Sequence, residues 1–207
     1  MNILILGATG RIGSKLLASA IEDSSHKVSV LVRNPDKLLI TSKNLTIIKG
    51  NALNKQSILE AMHDIDLVIS ALSTDGTNTL SMSMPLIIDV MKSHGIKRII
   101  TVGTSGILQS NIDSKLLRYQ TNESRQKSTR AAEEHHKVYR LLKESDLEWT
   151  IICPTSLTNE HYSDQYRIQE NFLPMGGVAI SFQDVAKFIY SMTKCTKYLR
   201  TRIGIAY

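Results

Sequence analysis

A chain of 207 residues with 42% hydrophobic and 21% charged side chains has room for one α/β domain, and its composition is neither that of a disordered nor of a membrane protein. Its net charge of +6 comes from Lys and Arg spread along the chain, with aromatics at only 5%, which argues against a nucleic-acid surface and suits a basic pocket for an anionic small molecule. Cys153 and Cys195 have no metal-ligand spacing, no apolar run is long enough to cross a bilayer, and the start Met1–Leu6 lacks a signal's basic flank and cleavage site, so no metal and a cytoplasmic location are expected.

Asn2 to Leu6 is a short apolar run ending at Gly7 and reads as a buried strand. Arg11 to Ile21 carries Ile12, Leu16 and Ala20 at helical spacing. Between them lies Gly7-Ala8-Thr9-Gly10-Arg11-Ile12-Gly13. Glycines there allow a tight turn and close approach of a pyrophosphate, and the helix N-terminus presents unpaired N–H groups to it. A glycine pattern alone is weak; following a strand and opening a helix, it has the context that dinucleotide binding demands.

Val28 to Val32 is the second strand and ends in Arg33-Asn34-Pro35. An NAD enzyme usually has a carboxylate there for the ribose 2′-hydroxyl. Arg33 instead can pair bidentately with a 2′-phosphate, and Arg11 could close on the same group, so the expected cofactor is NADP(H). Leu45 to Ile48 is a third strand, with Asn51-Ala52 beyond it where an adenine would lie. Gln56 to Met62 is a short helix, and Asp66 to Ser70 a strand whose end, Ala71-Leu72, leaves room for a ribose.

Leu86 to Ser93 reads as a helix, with Pro85 near its start and Gly95 just past its end. Arg98 to Val102 is a strand leading to Thr104-Ser105, small hydroxyl residues that fit beside a nicotinamide. Thr129 to Glu144 is the longest helix and Trp149 to Cys153 a strand. Ser181 can cap a last helix, with Asp184 three positions on, and Ile203 to Ala206 closes as a strand. The alternation predicts a Rossmann-like, doubly wound, mostly parallel sheet in one domain over residues 1–207. Two polar, irregular stretches, 106–127 and 155–177, follow strands and are expected to overhang the same edge as substrate loops.

The glycine loop, Arg33, Thr104-Ser105 and the stretch Leu142 to Thr150 before Pro154 together resemble the atypical short-chain dehydrogenase/reductase group, in particular its biliverdin reductase B/flavin reductase family. That resemblance implies Ser105 and His135 as catalytic residues and the turn Pro154-Thr155-Ser156 as a nicotinamide contact. Short-chain dehydrogenases carry Tyr-x-x-x-Lys, and this chain has the string at Tyr139 to Lys143, but too late on its helix. By register the group's tyrosine falls on Ala131 and its lysine on His135. His135 is expected to point inward and supply a proton near neutral pH, and His136 to face solvent.

The expected function is NADPH-dependent hydride transfer to a planar small molecule such as a flavin, quinone or biliverdin. A non-catalytic NADP(H)-binding redox sensor is the alternative, and an epimerase or dehydratase a third. The expected assembly is a monomer or small homo-oligomer.

Overall fold

The computed structural model describes residues 1–74, 76–124, 128–160 and 165–207. Among them the strands are β1 (Asn2–Leu6), β2 (Lys27–Val32), β3 (Leu45–Lys49), β4 (Leu67–Ser70), β5 (Arg98–Val102), β6 (Glu148–Pro154), β7 (Ser156–Thr158), β8 (Arg167–Glu170), β9 (Ala179–Ser181) and β10 (Thr201–Ala206). The helices are α1 (Arg11–Glu22), α2 (Lys55–Ala61), α3 (Thr79–Ser93), α4 (Arg130–Glu144) and α5 (Phe182–Ser191). The central sheet has the order β3-β2-β1-β4-β5-β6-β10-β8, and β7 pairs with β9 in a small second sheet. Every neighbour in the central sheet is parallel except β8, which runs antiparallel to β10.

The central strands are apolar on both faces because helices cover both. Ile3 and Ile5 of β1 face α1 and α5, together with Val30, Ile69, Ile100 and Ile152. Leu4 and Leu6 face the other layer of α2, α3 and α4, with Val68, Ile99 and Ile151. Strand order reverses between β1 and β4, and a ligand crevice belongs at the carboxyl ends of the strands on either side of that switch.

The doubly wound, single-domain expectation holds, with three corrections. The helix expected over 86–93 extends back to Thr79, with Pro85 in its interior. Leu80, Met84, Ile87, Ile88 and Met91 form one buried stripe across the proline. At about 1.5–3 kcal/mol per large side chain buried, that stripe outweighs the ~3 kcal/mol an interior proline costs. The stretch 155–177, expected to be irregular, contains β7 and β8. All residues of β8 are exposed, so it shows none of the apolar alternation by which a strand is read. The stretch 106–127 carries two short 3-10 turns, at Ser105–Ile107 and Arg118–Gln120, and a bridge between Gln109 and Leu117. Positions 125–127 and 161–164 of these loops lie outside the described residues. No helix among the described residues is long and apolar enough to cross a membrane.

Candidate functional site

The turn from β1 into α1 passes close against the end of β4. Gly7 has φ +83°, and a β-carbon on it would stand 2.5 Å from the Ala71 carbonyl oxygen. The Gly10 N–H donates back to the Gly7 oxygen at 3.0 Å, which closes the turn. Gly10 caps α1 without a side chain, and the first turn of α1 holds no acidic residue. The first N–H groups of the helix therefore have no intrahelical or side-chain acceptor, and the dipole adds positive potential. This cradle fits a pyrophosphate.

A cavity of about 200 Å³ opens from the loop towards β2 and β3. Gly7, Thr9, Gly10, Arg33, Asn51, Ala52, Ala71 and Leu72 all line it, so the structure brings these sequence candidates together. No carboxylate lines it among the described residues, and Arg33 is exposed on its wall. Asn51 accepts the Leu53 N–H at 3.0 Å, which shapes the turn after β3.

Four candidates contribute differently from what was expected. Arg11 does not join Arg33: its guanidinium lies over the Phe182 ring, 4.5 Å from the centroid, held by a cation–π contact on the α5 side. The Asn34 side chain accepts the Asp36 N–H at 3.0 Å and caps the short turn Pro35–Lys37, and Asn34 is not part of the cavity lining. Ala8 and Ile12 are buried in the core beneath α1, which leaves only main chain to offer a ligand.

A second cavity, of about 350 Å³, lies at the carboxyl ends of β5 and β6. Thr104, Ser105, Thr155 and Ser156 line it, and the two long loops contribute Arg118, Glu123, Ser124, Leu173 and Gly176. Thr104 caps the turn that presents Ser105. The Thr155 hydroxyl is buried with no hydrogen-bond partner among the described residues. Such a group costs about 1–3 kcal/mol until something bonds it. Pro154 ends β6 in the interior and sets the direction in which Thr155 leaves the sheet.

His135 lines neither cavity. Burial pushes its imidazole down to about 4, against the pull of neighbouring Glu134, so the ring is neutral at neutral pH and is no imidazolium donor there. His136, expected in solvent, is half-buried: its Nδ1 lies 2.9 Å from the Tyr119 hydroxyl and its ring stacks on Tyr139. Tyr139 in turn packs edge-on against Trp149, with Arg202 over its face at 4.3 Å. The tyrosine of the Tyr139–Lys143 string is thus a packing residue outside both cavities. Sequence reading missed Arg118 and Glu123, because helix and strand periodicity carry no signal through a loop held by side-chain bonds.

A family model described as NAD(P)H-binding matches residues 7–195. The chain belongs to this NAD(P)H-binding family. Among its relatives, the protein named "Probable pinoresinol-lariciresinol reductase 3" of Arabidopsis thaliana is 37% identical over 104 residues, which are 48% of this chain and 32% of that protein. The photosystem II assembly factor Ycf39 of Synechocystis sp. is 32% identical over 83 residues, 40% of this chain and 25% of that one. The match therefore spans a third or less of the length of either curated relative. A Rossmann-fold NAD(P)-binding family protein from Shigella flexneri has 27% identity and a TM-score of 0.79 over 99% of this chain and 92% of its own. In this NAD(P)H-binding chain the matched region contains the glycine loop, Arg33 and both cavities.

Proposed function

We propose that the protein is an NADPH-dependent reductase of planar acceptors, of the flavin, quinone or biliverdin kind. The bound dinucleotide would supply a hydride from its nicotinamide. In this reading the first turn of α1 holds the pyrophosphate and Arg33 pairs with the 2′-phosphate. Asn51 and Ala52 border the adenine, and Ala71 and Leu72 the ribose. Ser105 and Thr155 fix the carboxamide end, with Thr104 and Ser156 beside them, and the second cavity receives the acceptor.

The observation that carries this reading is the Thr155 hydroxyl, buried with no partner among the described residues, on a residue that lines the same cavity as Ser105. A carboxamide there would satisfy a buried donor that the protein leaves open. The chain has Ala131 at the position of the usual tyrosine acid, and its neighbouring histidine is neutral. A planar acceptor already competent to take hydride needs alignment more than a strong acid, so the site suits that class better than a simple carbonyl. Steady-state NADPH oxidation with FMN, a quinone and biliverdin tests the reading. Turnover with at least one acceptor is expected; tight NADPH binding with none would overturn it.

A second reading is a sensor that binds NADP(H) and contacts a protein without turnover. The missing acid and the similarity to an assembly factor favour it. Absence of NADPH consumption, with a partner bound differently in the presence of NADPH and NADP⁺, would select it.

A further inference from the structure

The loop beyond β5 builds a fixed cation into the wall of the second cavity. Arg118 is 14% exposed and Glu123 12%, and both line the cavity. Arg118 donates from Nη1 to Glu123 Oε1 at 2.9 Å and from Nη2 to the main-chain oxygen of Glu123 at 3.2 Å. The guanidinium has five N–H donors, and among the described residues these two are the ones in use.

Glu123 is the more saturated partner. Its carboxylate also accepts from the Ser110 hydroxyl, the Asn111 N–H and side-chain amide, and the Thr121 hydroxyl. Burial works against the charge, but the bonds from Ser110 and Asn111 and the Arg118 charge hold the carboxyl below its ordinary range. Its lone pairs are spent on the loop, so it orients Arg118 and has little left for a ligand. Tyr119, the next residue, ties the same turn to α4 through His136 at 2.9 Å. Glu123 therefore orients the fork and the Tyr119–His136 contact anchors the turn that carries it, on a residue that lines the same cavity as Ser105. Leu173 and Val178 supply the apolar part of the same wall.

Resting on the reductase reading, we propose that Arg118 is the acceptor-selecting residue: the site takes planar acceptors that carry an anionic group, a phosphate or a carboxylate, and Arg118 reads that group. A preorganised fork loses little entropy when it pairs with an oxyanion, and charge-assisted bidentate pairs are among the strong hydrogen bonds. A neutral planar acceptor would leave the spare donors unused.

The test compares acceptors that differ only in charge. FMN against riboflavin probes the phosphate, and biliverdin against its dimethyl ester the carboxylate. Each is followed by NADPH oxidation and, independently, by flavin or tetrapyrrole binding to the NADP⁺-loaded protein. In the wild type the anionic member of at least one pair is expected to have a KM and a Kd about tenfold lower or better. Arg118→Gln should abolish that ratio by weakening the anionic member alone, Arg118→Lys should keep part of it, and NADPH affinity should be unchanged in both. Equal wild-type affinity within both pairs would overturn the proposal and leave the reductase reading intact. Preferential binding of the anionic member with no oxidation would uphold the subsite and overturn the reductase. If Arg118→Gln does not fold, the wild-type ratios with Arg118→Lys decide the matter.

Discussion

The Arg11 guanidinium lies over the ring of Phe182, 4.5 Å from its centroid, and is thereby directed away from the cavity that Arg33 borders. Two arginines that look equivalent in sequence thus have separate tasks. Arg33→Asp should shift the ratio of NADPH to NADH dissociation constants towards NADH by about tenfold to a hundredfold, the worth of one or two charge-assisted bonds. Arg11→Ala should leave that ratio within about twofold. Titrating both variants with each cofactor by fluorescence checks both outcomes.

Gly13 sits where a β-carbon would run into the Gly7 carbonyl oxygen and the Ala8 α-carbon. Both obstacles are main chain, so the turn itself must move to admit a methyl group. Gly13→Ala is expected to weaken dinucleotide binding by about a hundredfold and to cost about 1–3 kcal/mol of stability. Isothermal titration with NADPH and urea unfolding measure the two effects. Unchanged affinity would mean that the loop does not carry the pyrophosphate.

His135 gives a pH signature. Its pKa of about 4 lies below the ordinary 6.5, so the folded state takes up this proton less readily than the unfolded chain. The stability tied to the neutral ring is complete above about pH 6.5 and declines as pH falls towards 4. His135→Gln should therefore lose less stability than the wild type across that window, read from urea midpoints. Between about pH 6 and 8 the two proteins should share one pH profile for NADPH oxidation, since the ring is neutral throughout. A wild-type inflection in that range that the variant lacks would show that the imidazole works as a proton donor.

Pro85 is exposed in the interior of α3 and removes the N–H that would bond the Ser81 carbonyl. Pro85→Ala should restore that bond at a solvent-exposed position. A stabilisation of about 1–3 kcal/mol, seen as a rise in melting temperature, is expected.

The parallel sheet was legible because β1, β4, β5 and β6 are apolar runs between punctuated helices, and the glycine loop because its residues are main-chain requirements. The cavity wall of Arg33, Asn51 and Ala71 followed from strand ends alone. The start of α3 was not legible, since Pro85 gives the signal of a first helical turn while its burial stripe begins at Leu80. The placement of His136 escaped because its partner, Tyr119, comes from a loop 17 residues away. Arg118 escaped for the same reason: what orients it is Glu123 with Ser110 and Asn111, a cluster that has no period.

Anaerobic mixing of the NADPH-loaded protein with FMN tests the central claim most directly. The account predicts that NADPH is oxidised and FMN reduced one for one. It also predicts that the Ser105→Ala, Thr155→Val double variant slows this by about tenfold or more while binding NADPH with little change at the Arg33 end. Tight NADPH binding with no electron transfer to FMN, a quinone or biliverdin would contradict it, and the protein would then be a sensor of the dinucleotide.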